Sequence, residues 1–211
     1  MVTDISDKEF NMLRDYIQKT IGINLGNEKK SLVYSRLRTV LKENDFENFS
    51  SYFDFLQKDK SGAAVRQFIN KITTNHTFFM READHFEFFN KTVLPYIEKE
   101  YGNIKDLRLW CAACSSGEEA YTLQIIINEY FKKDTSWNKE ILATDISTNV
   151  LDKAIAGVYT DESLKNMSKS WLKEYFKKAG DENSVVVDSI KKNITFRRFY
   201  LMDDKFPFKK K

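Results

Sequence analysis

The chain has little of what most catalytic sites are built from. Two cysteines and two histidines stand among 211 residues. They are too few soft ligands for a zinc site, no metal is expected, and they fit a reduced, cytoplasmic setting. No stretch approaches the ~20 consecutive apolar residues of a membrane span, and the start, MVTDISDKEF, has no apolar signal segment, so direct membrane insertion is not expected. The formal net charge is only +3, which gives no reason to expect nucleic acid as a partner. Internal repeats and low-complexity stretches are lacking. Asn75-His-Thr77 has the form of a glycosylation sequon, which means nothing without secretion. Apolar material is plentiful: hydrophobic residues make up 42%, with 17 Phe and 10 Tyr. That supplies a core for one domain or two small ones and excludes a disordered chain.

The remaining chain is organised around Leu107-Arg-Leu-Trp-Cys-Ala-Ala-Cys-Ser-Ser-Gly-Glu-Glu-Ala-Tyr-Thr-Leu123. Leu107, Leu109 and Cys111 alternate with Arg108 and Trp110, the pattern of a strand. Small residues follow up to Gly117, and a helical stripe then runs through Ala120, Leu123, Ile127 and Tyr130/Phe131. Strand, small-residue turn and helix start let a ligand approach the backbone and its free N–H groups. Glu118 and Glu119 are good helix starters. They also repel phosphate and suit a hydroxylated or cationic ligand. A second strand, Lys139-Glu-Ile-Leu-Ala-Thr-Asp-Ile146, ends at Asp145, and a helix begins at Ser147. An acid at that place is the usual partner of ribose hydroxyls. It is also an ordinary helix cap. Joined to the Gly117 turn, it favours a nucleoside site.

The first third reads as a helical bundle. Ser6-Asp-Lys-Glu9 is a capping box before Phe10, Leu13, Ile17 and Ile21. A second helix over 28–43 turns Leu32, Val33, Leu37, Val40 and Leu41 inward. Lys29 and Arg36 flank that stripe on one side, Arg38 and Lys42 on the other. They form either a solvated face or a docking surface for an acidic partner. Further helices are expected at 49–58 and, after Ser61, through Val65, Phe68, Ile69 and Ile72. Thr73-Thr-Asn-His-Thr-Phe-Phe-Met-Arg-Glu82 interrupts the helices with polar groups, two aromatics and an arginine; Phe78 and Phe79 are also candidates to seal two domains together. A long helix over 83–100 should kink or break at Pro95. Beyond Asp145 the pattern predicts helices to Ala156 and over 163–178. Strands follow at 184–188 and 193–201, as a hairpin or as consecutive edge pieces.

Three motifs in this order, behind a helical N-terminal domain, resemble the chemotaxis-receptor glutamate methyltransferases of the CheR type. They are Thr74-Asn-His-Thr-Phe-Phe-Met-Arg-Glu82, Trp110-Cys-Ala-Ala-Cys-Ser-Ser-Gly-Glu-Glu-Ala-Tyr121 and Ala143-Thr-Asp-Ile146. The similarity runs nearly end to end, with Ala120 standing where the family usually has proline. It implies an α/β chain: a helical receptor-docking domain over 1–80, then the first half of a Rossmann-like S-adenosylmethionine-binding domain over 81–211. It implies transfer of a methyl group from S-adenosylmethionine to glutamate side chains in the cytoplasmic helical region of chemoreceptors, leaving S-adenosylhomocysteine. By the same resemblance Asn75, Thr77 and Arg81 reach the cofactor from the linker, Arg81 near its carboxylate or the reacting centre. Glu119 approaches its amine and Asp145 its ribose. Tyr200-Leu201 stands where the family has Asn-Leu near the adenine, so only a backbone contact carries over at Tyr200. Arg36, Arg38 and Lys42 are the expected receptor-docking cations.

The family continues through a strand ending in Arg-Asn, a Tyr, further strands and a small receptor-tethering subdomain. The 211 residues are therefore expected to be a fragment, and the strand at Leu107 an unpaired edge. A monomer is expected, with that edge a route to association. Two rival readings stand beside the enzyme. One is a non-catalytic module that docks receptors through its helices. The other is a thiol-disulfide oxidoreductase built on Trp110-Cys-Ala-Ala-Cys114, which would need a low-pKa thiolate at the helix start. Glu118 and Glu119 oppose such a thiolate, and neither Pro95 nor Pro207 stands where that fold puts its proline. Cys111 then reads as a small core residue and Cys114 as part of the ligand turn.

Overall fold

The computed structural model describes residues 4–208; the closing Lys209-Lys-Lys211 lies outside the described residues. The chain divides into two units, Asn75–Phe199 and a first unit containing the residues before Asn75 and those from Tyr200 onward.

The first unit is helical. Helix α1 (Asp7–Ile21) starts at the expected capping box, with Ser6 and Glu9 satisfying each other's backbone N–H groups, and stops at Gly22 in the left-handed region. A single 3₁₀ turn leads into α2 (Lys30–Glu43), then α3 (Phe49–Lys58) and α4 (Ala63–Ile72) follow. Their apolar stripes meet in a core that includes Leu13, Ile17, Leu37, Leu41, Phe49, Tyr52, Phe68 and Ile69, each 1% exposed or less.

In the second unit the long helix is continuous but not uniform. It runs as α5 (Ala83–Phe88), a π-helical turn over Phe89–Val93, and α6 (Leu94–Tyr101). Pro95 has no N–H to give Lys91 and its ring crowds that carbonyl, so the widened turn just before it absorbs the misfit. Strand β1 (Asp106–Ala112) pairs in parallel with β2 (Asn138–Asp145), in the register Leu107 to Lys139 and Cys111 to Ala143. Helix α7 (Glu118–Tyr130) connects them, and α8 (Thr148–Ala156) leaves from β2.

The region after α8 departs from the sequence expectation. Strand β3 (Val158–Thr160), β4 (Phe176–Lys178) and β5 (Asn183–Val186) form a separate antiparallel sheet in the order β3-β5-β4. The helix expected over 163–178 shortens to α9 (Lys169–Tyr175), whose N-cap Ser168 accepts from Trp171 N–H. Phe176 is extended and packs edge-on against Phe79 at 5.6 Å, which draws the chain out of the helix. Nor do the strands expected at 184–188 and 193–201 form a hairpin, one of the two arrangements expected. Helix α10 (Asp188–Lys191) turns the chain after β5, so β6 (Ile194–Arg198) joins the main sheet parallel to β2. The main sheet therefore has the order β1-β2-β6, with β1 at one edge among the described residues. Helices α7 and α8 cover β2 and β6. The residues from 75 to 80, placed with the helical domain in the sequence reading, fall in the second unit; Phe79, fully buried, belongs to that unit's core.

Candidate functional site

The candidate site is built at the carboxyl ends of β1 and β2, where parallel strands expose their last N–H and C=O groups. The β1–α7 loop takes an unusual path. Ala113 (φ 57°), Ser115 (φ 50°) and Gly117 (φ 95°) are all left-handed. For Ala and Ser that costs on the order of 1–2 kcal/mol each, so the fold must hold them. Only glycine serves at 117: a Cβ there would lie 2.9 Å from Ala154 Cβ and 3.0 Å from the Tyr159 hydroxyl.

The restraints come from four parts of the second unit. Cys114 N–H donates to Thr144 O at 2.8 Å, and Gly117 N–H to Cys114 O at 3.0 Å. Ser115 N–H donates to Asp145 Oδ2 at 2.8 Å, and the Ser115 hydroxyl to Asn75 O at 3.3 Å. Tyr159 donates its hydroxyl to Ser116 O at 2.6 Å. The Ser116 hydroxyl in turn meets the Glu118 carboxylate at 2.8 and 2.9 Å.

Asp145 is only 6% exposed. Its second oxygen accepts from Ser147 N–H at 2.9 Å, and its backbone carbonyl from Phe199 N–H at 3.0 Å. Each carboxylate oxygen keeps a further lone pair. Such a rigid acceptor pair is suited to a vicinal diol. The two acids at the head of α7 separate in role. Glu118 is buried, and burial raises its pKa above the usual carboxylate value. Glu119 is exposed, and the Cys111 thiol points at its Oε1 from 3.6 Å. With Glu119 exposed at the head of α7 and Asp145 bonded to the loop, the mouth fits a cationic sulfonium or an amine better than a phosphate.

The linker residues divide. Asn75 is brought to the loop through its carbonyl. Arg81 is exposed; its Nη1 donates to His76 O at 2.7 Å, and its Nε lies 3.7 Å from Glu82 Oε1. Thr77 is half-buried in the same stretch. Tyr200 and Leu201 follow Phe199 directly in the chain and are counted with the first unit. On α2, Arg38 and Lys42 are exposed one helical turn apart, whereas Arg36 is committed internally, to Ile72 O and to Thr74 Oγ1 at 2.9 Å.

The oxidoreductase reading meets no support here. Both thiols are free and buried. Burial and the nearby Glu119 push Cys111 well above the ordinary thiol value, and burial with Asp145 pushes Cys114 up to about 12. A thiol held protonated is no nucleophile. Sequence reasoning missed Ser116 and Tyr159. The 43 residues separating them carry no local pattern that would reveal the bond.

Comparison with known proteins agrees with the geometry. The family pattern "CheR methyltransferase, SAM binding domain" matches residues 75–211, and "CheR methyltransferase, all-alpha domain" matches residues 8–73. The chain is 38% identical over 211 residues to a chemotaxis protein methyltransferase of Borreliella burgdorferi, covering 99% of this chain and 75% of that protein. It is 33% identical over 193 residues to chemotaxis protein methyltransferase 2 of Vibrio cholerae, covering 91% of this chain and 66% of that one. With the chemotaxis protein methyltransferase of Escherichia coli it shares 33% over 173 residues, covering 82% of this chain and 57% of that protein.

Proposed function

The chain belongs to the CheR methyltransferase family, with S-adenosylmethionine as its methyl donor, and on that premise we propose that it esterifies glutamate side chains in the cytoplasmic helical region of a chemoreceptor. The observation that carries the reading is the β1–α7 loop locked onto Asp145 by the Ser115 N–H.

Asp145 takes the ribose hydroxyls and Glu119 the methionyl amine. Asn75 and Thr77 line the methionyl side, and Arg81 takes the carboxylate or steadies the incoming glutamate. The bound sulfonium supplies an electrophilic methyl group. A glutamate with a pKa of about 4.3 is already ionised at neutral pH, so its oxygen attacks without a general base. The new O–C bond forms as the S–C bond breaks, and the electron pair leaves on sulfur as the neutral thioether S-adenosylhomocysteine. The protein's part is alignment of oxygen, methyl and sulfur and removal of water, effects worth roughly 7–11 kcal/mol in well-oriented systems. The need for positioning rather than proton transfer explains a site of binding residues with no histidine base. Arg38 and Lys42 draw in an acidic receptor helix, with Arg36 behind them fixing the end of α4.

Among the described residues no helix is long and apolar enough to cross a membrane. The test is transfer of tritiated methyl from labelled S-adenosylmethionine to a receptor cytoplasmic fragment. Methyl esters release volatile methanol in mild base. Label that is absent, or that resists base, refutes glutamate esterification.

A further inference from the structure

The peptide between Ser116 and Gly117 lies between two left-handed residues in the cofactor loop. Gly117 sits at φ 95°, and Ser115 on the other side is also left-handed. A glycine accommodates either orientation of the preceding peptide with little steric cost; within the loop only its N–H side is held, by the bond from Gly117 N–H to Cys114 O at 3.0 Å, and Ser116 O is held by no group of the loop's own backbone. One side chain from outside the loop holds it. Tyr159, on β3 of the small antiparallel sheet, donates its hydroxyl to Ser116 O at 2.6 Å. The ring cannot swing away: it is 6% exposed, edge-on to Phe79 at 4.8 Å and to Tyr121 at 6.0 Å. Its hydroxyl also lies where a side chain at 117 would begin, 3.0 Å from the position of a Cβ.

We propose that Tyr159 is a positioning residue for S-adenosylmethionine, holding the Ser116–Gly117 peptide in the one orientation that shapes the cofactor loop and so tying cofactor affinity to the small antiparallel sheet. The inference rests on the reading of this loop as the cofactor site. Burial raises the phenol's pKa well above its usual value, so the donated proton stays in place at every physiological pH. The effect runs through the backbone: Gly117 N–H bonds Cys114 O, and Tyr121 N–H at the start of α7 bonds Gly117 O at 2.9 Å. A rotated Ser116–Gly117 peptide would therefore break the bond from Gly117 N–H to Cys114 O that closes the turn, directly before the first bond of α7.

A paired control separates this role from plain stability. Tyr121 also donates a buried hydroxyl to a backbone oxygen, Ala154 O at 2.7 Å, but that acceptor is outside the loop. Calorimetry with S-adenosylhomocysteine would be run on the full chain, Tyr159→Phe and Tyr121→Phe, with thermal unfolding alongside. Both variants should lose similar stability. Only Tyr159→Phe should lose affinity, by about three- to tenfold, the value of one hydrogen bond. Unchanged affinity in Tyr159→Phe, or an equal loss in both variants, overturns the proposal. If the unmodified chain binds no S-adenosylhomocysteine, the cofactor reading itself fails first, and the two failures are told apart. Should Tyr159→Phe not fold, 4-fluorophenylalanine in place of Tyr159 fills the hydroxyl's space without its proton, and the same outcomes apply.

Discussion

Replacing Asp145 by asparagine removes one charge and almost no volume, which makes its consequences calculable. In the native site the carboxylate accepts Ser115 N–H at 2.8 Å and Ser147 N–H at 2.9 Å, one on each oxygen. Asparagine has a single oxygen, so whichever way the amide turns, its NH₂ faces a backbone donor. At 6% exposure water cannot repair the mismatch. Losing one charge-assisted bond costs about 1.5–3 kcal/mol, and the orphaned donors bring the total to about 2–4 kcal/mol. At 2–4 °C per kcal/mol for a chain of this size, the midpoint should fall by roughly 5–15 °C. Affinity for S-adenosylhomocysteine should fall by about 1.5–3 kcal/mol, roughly 10- to 150-fold, since the diol loses its charged acceptor. Asp145→Ala should lose similar affinity but less stability, because it presents no opposing donor. Differential scanning calorimetry with and without ligand measures both quantities. An Asp145→Asn protein whose midpoint and affinity match the unmodified chain would falsify the assignment of Asp145 and the idea that it anchors the loop.

The other expectations concern single groups. Arg36→Ala should lower stability by about 1–3 kcal/mol, because the guanidinium's bonds to Ile72 O and Thr74 vanish; an unchanged denaturation midpoint refutes that role. Charge reversal at the exposed Arg38 and Lys42 should slow association with an acidic receptor helix, most at low salt, while stopped-flow rates that ignore salt would return these cations to a solvated face. Burial raises the Glu118 pKa above its ordinary value of 4.5, so its protonated form is the one the fold favours. That contribution is complete below the unfolded value and is lost as pH rises through the folded one. Glu118→Gln should therefore gain on the unmodified chain in thermal midpoint as pH rises from about 4 towards neutrality, and a constant difference across that range contradicts the sign. Finally, Cys111 and Cys114 should react with a disulfide reagent at neutral pH only on unfolding, since both thiols are buried and held protonated; rapid labelling of the native chain would reopen the redox reading.

What could be read from the sequence was what local pattern determines. The capping box at Ser6 names its own helix start, alternation marks β1, and the acid at the end of β2, an ordinary helix cap taken alone, points to a ligand when joined to the Gly117 turn. Parallel pairing of β1 and β2 followed from the helix between them. The strands after α8 could not be read the same way. Val185 and Val186 have as much β-propensity as Ile194 and Phe196, and propensity does not say which sheet a strand joins. That choice is made by α10, a helix of four residues too short to announce itself. Phe176 likewise belongs to a helical stripe in sequence, yet its ring finds Phe79 nearly a hundred positions away and the backbone extends to reach it.

The same distinction explains why the motif residues alone under-describe the site. Cys114, Ser115 and Gly117 are recognisable as a ligand turn, but the sequence of a turn does not hold left-handed Ala113 and Ser115 in place. Their restraints arrive from Thr144 and Asp145 at the end of β2, from Asn75 in the linker and from Tyr159 in the small sheet. Each restraint spans a gap in sequence far wider than any helical or strand period, so none leaves a periodic trace. A reaction that needs alignment and no proton transfer makes this arrangement consequential. Where chemistry depends on a base, loss of the base is decisive and the scaffold is secondary. Here displacement of the loop by even part of an ångström acts on the reacting line itself. The substitutions that most affect transfer should therefore include residues such as Tyr159, which hold the loop from behind.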